Sequence, residues 1–440
     1  IHDFTHHRLS MGSINCIIMG INDSTKSKSR SRMKIGILAY HSACNYGANL
    51  QVLSTVGYLK RNGHNPIVIN YETDDFIHFY KRVTPTNVYD AFYTFRHQTM
   101  PLSKHCHTND TLVKVIEEYK LDAIIIGSDA VAQHHPLLSR INFPTRTLLS
   151  ITKMTSDRYF PNPFWGTFVE DLKKPIPMAI LSASSQDSNY KLFLPSLKKE
   201  MWHQLQKFTY VSARDEWTKE MYSAVSDGNL NVEVTPDPVF AFNANCSDIV
   251  PSKQEIVEKY HLPENYLLLS FLNSRTVTLK WLEEFKLLAE QQGLTCVALP
   301  FPQGMKFQHC LDYEIPSPLL PLDWYALIKY SQGYIGHNMH PIVVSLHNAN
   351  PFFAFDNYGI MKFNGLYSDD YSSKIKHILS LADLGNNRVS CIRRSFTPPT
   401  PQFVLENILK FDKKKAKKFS DIYLERYETM MSNILNSFTI

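Results

Sequence analysis

Residues 333–359, GYIGHNMHPIVVSLHNANPFFAFDNYG, limit what this chain can fold into more than any other stretch. A short apolar run ending at Gly336 meets a polar turn of His337, Asn338, Met339 and His340. Pro341 suits the first turn of a helix, where its missing N–H costs nothing. Ile342, Val343, Val344 and Leu346 require that helix to be buried, and a second apolar run, PFFAF, ends at Asp356. Strand, turn, helix and strand in this order make a parallel α/β unit. Such a unit puts its turn at the carboxyl end of the sheet and aims a helix N-terminus at whatever binds there, a geometry suited to phosphate or carboxylate. The turn 337–340 is therefore the first candidate for an anion-binding active site.

The same alternation runs through the rest of the chain. MKIGILAY (33–40) reads as a strand, followed by the loop HSACNYGAN, a helix over about 50–60 that Gly63 stops, and the strand PIVINY (66–71). LDAIIIGSD (121–129), PMAILSAS (177–184), FTYVSARD (208–215) and VEVTPDPVF (232–240) supply further strands and turns, with helices over 87–98, 111–120 and 215–224. An aromatic, proline-bearing insertion at 130–174 is long enough to shape a cleft. Residues 241–262 cross into a second set of strands at 266–272, 295–300, 333–336 and 351–355, with helices over 277–291, 322–331, 341–348 and 370–382. After Pro398–Pro401 one long helix is expected over 403–437. A chain of 440 residues exceeds one ordinary core. The expected division is a disordered leader at 1–32, an α/β lobe at 33–245, a second at 246–400 and a helical tail at 401–440.

Composition narrows the function. A net charge of +5 suits anionic substrates and falls well short of a nucleic-acid-binding protein. Seven cysteines, scattered and without a CxxC pair, indicate a reducing, cytoplasmic setting. No apolar run is long enough to span a bilayer. In the leader the apolar patch Ile14–Ile21 precedes the basic run, the reverse of a signal peptide. His337, His340 and His347, His134–His135, and His105-Cys106-His107 lack a carboxylate or cysteine at ligand spacing, so no metal is expected. There is no GxGxxG, Walker loop or nucleophile elbow.

Five motifs in order resemble the polysaccharide pyruvyl transferase family: KIGILAYHSACNYGANLQ with its Asn-Tyr-Gly-Ala turn, IIIGSD (124–129), VSARDEWT (211–218), TPDPVF (235–240) and the histidine turn at His340. The resemblance covers roughly 34–365. It departs where Ala130, Val131 and Ala132 replace a tryptophan–asparagine pair, and where Asn338 stands in place of an arginine. It implies two Rossmann-like lobes facing a cleft, glycosyltransferase-B-like, with a long C-terminal helix. It also implies a bacterial enzyme of exopolysaccharide biosynthesis that moves a pyruvyl group from phosphoenolpyruvate, its donor substrate, to a saccharide, with no other cofactor.

That chemistry needs cations and N–H groups for a phosphate and a carboxylate, and an acid to protonate the methylene carbon. His340 is the first choice as general acid or phosphate ligand, against a plain hydrogen-bonded histidine at a helix start. His337 shares the turn, and Asn338 either donates to the anion or caps the helix. Arg214 follows a strand and either clamps the anion or pairs with Asp215 or Glu216; Arg275 has a similar position. Asn45, Tyr46 and Gly47 form a substrate-binding turn or an ordinary start to a helix, the glycine allowing close backbone approach. Asp129 either deprotonates an acceptor hydroxyl or, with Ser128, caps the next segment. Tyr159, Phe164 and Trp165 stack on sugars or pack in the core.

The tail KFDKKKAKKFSDIYLERY (410–427) concentrates six lysines beside apolar residues at helical spacing. It is either a peripheral membrane contact at the inner face of the cell membrane, near lipid-linked acceptors, or a helix folded back on the body. Two rival functions stand beside pyruvyl transfer. One is a nucleotide-sugar glycosyltransferase, for which Asp356 is the available ribose carboxylate. The other is a catalytically silent saccharide-binding protein, suggested by Asn338.

Overall fold

The computed structural model describes residues 32–145, 148–272, 276–361, 367–368, 373–392 and 396–439. Arg275 and the leader up to residue 31 lie outside the described residues. The first half runs β1 (Lys34–Leu38), α1 (Tyr46–Arg61), β2 (Asn65–Val68), α2 (Asp74–Val83), α3 (Thr86–Thr99), α4 (Asn109–Tyr119) and β3 (Ala123–Asp129). A hairpin of β4 (Ile141–Thr145) and β5 (Leu148–Ile151) follows, then β6 (Met178–Ala183), α5 (Pro195–Leu205), β7 (Tyr210–Ala213), α6 (Glu216–Val225), β8 (Glu233–Val234) and α7 (Phe242–Cys246).

The second half begins with α8 (Lys253–Tyr260), β9 (Tyr266–Ser270), α9 (Leu279–Glu290), β10 (Thr295–Ala298), β11 (Tyr313–Glu314) and α10 (Pro321–Tyr330). It continues through β12 (Gly333–Gly336), α11 (Met339–His347), β13 (Phe352–Asp356) and a small hairpin of β14 (Ile360–Met361) and β15 (Tyr367–Ser368). It ends with α12 (Lys374–Leu381), β16 (Arg388–Ser390), α13 (Pro401–Leu409) and α14 (Lys413–Ser437).

Two parallel sheets result, ordered β2-β1-β3-β6-β7-β8 and β11-β10-β9-β12-β13-β16. Their central strands, such as IIIG in β3 and YLLLS in β9, are buried throughout because helices cover both faces. Parallel bridges Val68–Leu102 and Tyr71–Cys106 put residues 102–106 beyond β2, where β11 lies beyond β10 in the other sheet. Both lobes are thus doubly wound about their first strand. In such sheets ligands bind beyond the carboxyl ends of the strands, where the winding reverses. That point falls between β1 and β3 in the first lobe and between β9 and β12 in the second.

Helix α1 joins the lobes, and thirteen of its sixteen residues are buried. Its Tyr46 stacks on Trp324 of α10 at 4.9 Å, and Ser54 donates to Pro238 O at 2.7 Å. Gly57 faces α7 so closely that a Cβ would sit 2.3 Å from Asn245 O.

Two expectations are corrected, and a third is made specific. The region 72–108 holds two helices, α2 and α3, where only 87–98 was expected. Arg96 of α3 is the reason that segment is fixed, pairing with Glu72 at 3.0 Å and donating to Ser42 O at 3.0 Å. The single tail helix is two, because Phe411 turns inward onto Phe352 (5.1 Å) and Asp412 caps α14 at Lys415 N (2.9 Å). The insertion 130–174 has its own hairpin and short 3-10 turns, tied to the β1 loop by Tyr40 Oη donating to Asp157 Oδ2 at 2.7 Å. Phe164 and Trp165 are buried in it, so packing is their role, while Tyr159 lies half-buried under the Arg140 guanidinium at 4.9 Å.

Of the two readings of the tail, the structure has the helix folded back. Phe419, Tyr423, Tyr427, Met430 and Met431 of α14 are buried, and Lys413, Lys414, Lys417 and Lys418 are exposed. Among the described residues no helix is long and apolar enough to cross a membrane.

Candidate active site

His340 is held where two helices begin. β12 ends at Gly336, with φ +153°, pressed so close to β9 that a Cβ would meet Ser270 O at 2.0 Å. Tyr334 Oη donates to His337 O at 2.5 Å, and Asn338 takes a left-handed φ of +76° before α11 starts. This turn carries the His340 ring over the first residues of α1. A Cβ on Gly47 would lie 2.0 Å from His340 Cγ, so only glycine leaves room for the imidazole. The N-termini of α1 and α11, each with unsatisfied N–H groups and a positive dipole end, thus meet at His340. Asn45 caps α1, its side chain accepting from Ala48 N at 3.3 Å.

Arg214 leaves the end of β7 and is buried. The sequence offered Asp215 or Glu216 as its partner; Asp215 instead caps α6 by accepting from Thr218 N at 2.8 Å. Arg214 Nη1 donates to Asp237 Oδ2 at 2.9 Å and Nη2 lies 3.6 Å from Asp129 Oδ1, while Nε has no partner. Burial works against its charge, but Asp237 and Asp129 outweigh burial and raise its pKa.

Asp237, in the rigid turn between Pro236 and Pro238, is the residue that sequence reasoning missed. Its Oδ2 accepts from Arg214 and from Gln51 Nε2 at 2.6 Å, and lies 3.6 Å from His340 Nε2. Its Oδ1 accepts from Val239 N at 3.0 Å. Burial pushes its carboxyl up, but His340, Arg214 and the Val239 N–H prevail and hold it well below the usual carboxylate range. The motif TPDPVF was its only signal, with nothing in its neighbourhood to name the partners.

Two connected chambers lie between the lobes. The polar one, about 250 Å³, is lined by Asn45, Asp129, Arg158, Arg214, His340 and Lys374 among others. The other, about 200 Å³, is faced by Tyr46, Gly47, Phe301, Trp324, Tyr334 and Asn338. Asn45, Gln303, Met339, His340 and Tyr358 border both. Asn338 makes no side-chain cap to α11, which leaves its amide to the second chamber. Tyr46 contributes mainly backbone, since its ring is buried between Trp324 and Phe92.

His337 lines neither chamber. It is 1% exposed, its Nδ1 accepts from Leu272 N at 3.0 Å, and Nε2 therefore carries the proton toward Thr276 Oγ1 at 3.2 Å. Burial pushes its pKa down to about 4, so it braces the loop after β9 as a neutral ring. Asp356 is fully buried, Oδ1 accepting from Tyr358 N at 2.9 Å and Oδ2 from Arg388 Nε at 2.6 Å and from Ser373. It lines neither chamber and so faces no ribose there. Among the described residues no group of three or more His, Cys, Asp or Glu is placed to hold a metal ion.

No curated protein sequence matches the chain. Among solved structures it is similar to a UDP-GlcNAc 2-epimerase from Neisseria meningitidis bound to UDP-GlcNAc, at 10% identity over 92% of this chain and 99% of that one, TM-score 0.49. A UDP-GlcNAc 2-epimerase from Methanocaldococcus jannaschii is similar at 10% identity over 89% and 99%, TM-score 0.46. So is HepE of Anabaena in complex with UDP-glucose, at 11% identity over 93% and 100%, TM-score 0.43. Likeness this remote carries no functional weight. A family model described as polysaccharide pyruvyl transferase matches residues 45–358, well over half of the chain. That span starts at the Asn45 cap and ends at Tyr358, enclosing Asp129, Arg214, Asp237 and His340 and leaving Lys374 outside. By that match the chain belongs to the polysaccharide pyruvyl transferase family and is an enzyme, a transferase.

Proposed function

We infer that the protein transfers a pyruvyl group from phosphoenolpyruvate to a saccharide, forming a ketal during assembly of a surface polysaccharide. The observation that carries this reading is the placement of His340 at the junction of two helix N-termini, backed by Asp237 and Arg214 and open to a polar chamber. A donor with a phosphate and a carboxylate suits that field, since helix N-termini and cations both favour anions.

In the reaction, a proton from the His340 imidazole goes to the methylene carbon, leaving positive character on the carbon that bears the phosphate oxygen. An acceptor hydroxyl oxygen bonds to that carbon and gives its proton to Asp129. The carbon–oxygen bond to the phosphate then breaks as a second hydroxyl of the same sugar closes the ketal and gives its proton to the His340 imidazole, and inorganic phosphate leaves. Asp237 stabilises the protonated imidazole before transfer, and Arg214 holds Asp129 and Asp237 in place. Six described cysteines are free, four of them buried, which supports a reducing, cytoplasmic setting. The exposed lysines of α14 would favour an acceptor carried on an anionic membrane surface.

Melting curves with phosphoenolpyruvate, UDP-sugars, GDP-sugars and free oligosaccharides test the donor. Phosphoenolpyruvate at about 100 times its Kd should add about 2.7 kcal/mol of stability. With an acceptor saccharide it should release inorganic phosphate, and His340→Ala should lose that turnover. Stabilisation by a nucleotide sugar but not by phosphoenolpyruvate would turn the reading to glycosyl transfer, and by saccharide alone to a binding protein.

A further inference from the structure

The reaction scheme leaves one ammonium in the cleft unused. Lys374 opens α12, and a buried carboxylate holds it there: Asp356 accepts from the hydroxyl of Ser373, the residue that caps this helix at Lys376 N (3.0 Å). Lys374 is 7% exposed and lines the polar chamber with Asp129, Arg214 and His340. Of the other cations of the cluster, Arg214 is matched by Asp237 and Asp129 and His340 by Asp237, while Arg158 lies over the Phe79 ring at 5.8 Å. Among the described residues no carboxylate lies within ion-pair distance of the Lys374 nitrogen. An ammonium removed from water without a counter-charge is costly.

We propose that Lys374 supplies the fixed positive charge that holds the phosphate of the donor in the cleft. The bound phosphate is then the counter-ion this ammonium lacks among the described residues. The assignment rests on a phosphate-bearing donor, phosphoenolpyruvate in the reading above.

The titration of Lys374 gives the assignment a separate handle. Burial first, and then the Arg214 guanidinium, push its pKa down to about 8, with Asp129, Asp215 and Asp187 acting in the other direction. The other groups facing it are Asp237, Arg158, His340, His377, Tyr40, Tyr80, Tyr358 and Tyr423. Burial moves His377 below and the four phenols above their ordinary values, away from pH 8. The charge of Lys374 is present below pH 8 and lost above it, so donor affinity should fall as pH rises through that point.

The unchanged protein, Lys374→Met and Lys374→Arg are compared by melting with phosphoenolpyruvate, inorganic phosphate and UDP-glucose, and by phosphate release for KM and kcat. Lys374→Met should raise the donor KM at least tenfold with a smaller change in kcat, without lowering the ligand-free melting temperature. Lys374→Arg should keep the affinity within a few-fold and carry it unchanged past pH 8. If Lys374→Met binds phosphoenolpyruvate as tightly as the unchanged protein, the proposal is wrong while the donor reading stands. If the unchanged protein answers to UDP-glucose and not to phosphoenolpyruvate, the donor reading fails; loss of that response in Lys374→Met keeps the residue assignment and its persistence overturns it. If no probe stabilises the unchanged protein, both fall. Should Lys374→Met not fold, the pH profile of Lys374→Arg decides: a fall at pH 8 like that of the unchanged protein overturns the proposal.

Discussion

Gly47 shows how one absent atom can set a site. The imidazole of His340 occupies the space a Cβ would need, 2.0 Å from His340 Cγ. Gly47→Ala should therefore push the ring off the N-terminus of α1 and away from Asp237. Turnover should fall on the order of 100-fold, the effect of about 1 Å of misplacement, while overpacking costs about 1–3 kcal/mol. Phosphate release together with a melting curve separates the two effects; near-normal turnover would mean that the ring is free to shift. His340, Arg214, Asp129 and Asn45 were legible in the sequence because each follows an apolar strand at its carboxyl end. Asp237 was not, because what matters about it is its partners, and Gln51, Arg214 and His340 are remote from it in the chain. Lys374 was hidden for a similar reason: nothing local distinguishes it from a surface lysine, and only the tertiary fold buries it.

At the scale of elements, α1 and α14 connect the two lobes. α1 joins α7 and α10, while α14 runs from the end of α11, where Ser420 Oγ donates to His347 O at 3.0 Å, to β7, where Ser212 Oγ lies 3.8 Å from Met430 Sδ. Between these ends Phe240, just past the Asp237 turn, packs on Phe419 at 6.0 Å and on Tyr423 at 5.0 Å. Phe240→Ala should cost about 3–5 kcal/mol, as truncation of a buried aromatic does. It should also loosen Asp237, so urea unfolding and donor affinity should change together; a stable variant with weak binding would mean that α14 contributes little to holding the lobes. The helical tail was readable from its apolar spacing. Its break at residues 410–412 was not, because Phe411 leaves the helix to meet Phe352, a contact made 59 residues apart that spacing within the tail cannot reveal.

For the whole molecule, buried histidines govern acid stability. Burial pushes His337 down to about 4 and His347 to about 3, both below the value of an unfolded chain. The unfolded state therefore binds more protons, and stability present at neutral pH is lost as pH falls below about 6.5 toward those values. Each should contribute about 2 kcal/mol of loss by pH 5. Urea midpoints at pH 7.5 and pH 5 check this, and an unchanged midpoint would mean that the two rings take up protons in the folded state.

Taken alone, the sequence determined the class of fold, because short apolar strands alternating with buried helices can be covered only in parallel sheets. It also picked out most of the turns that border the cleft, since strand ends and helix starts are local features. Only the tertiary structure decided how those turns are shared. It set His340 over Gly47, turned His337 inward, gave Asp237 three partners remote in the chain, and brought Lys374 into the cleft. The physical reason is that burial and charge pairing depend on distance in space, whereas the pattern along a chain reports only its immediate neighbours.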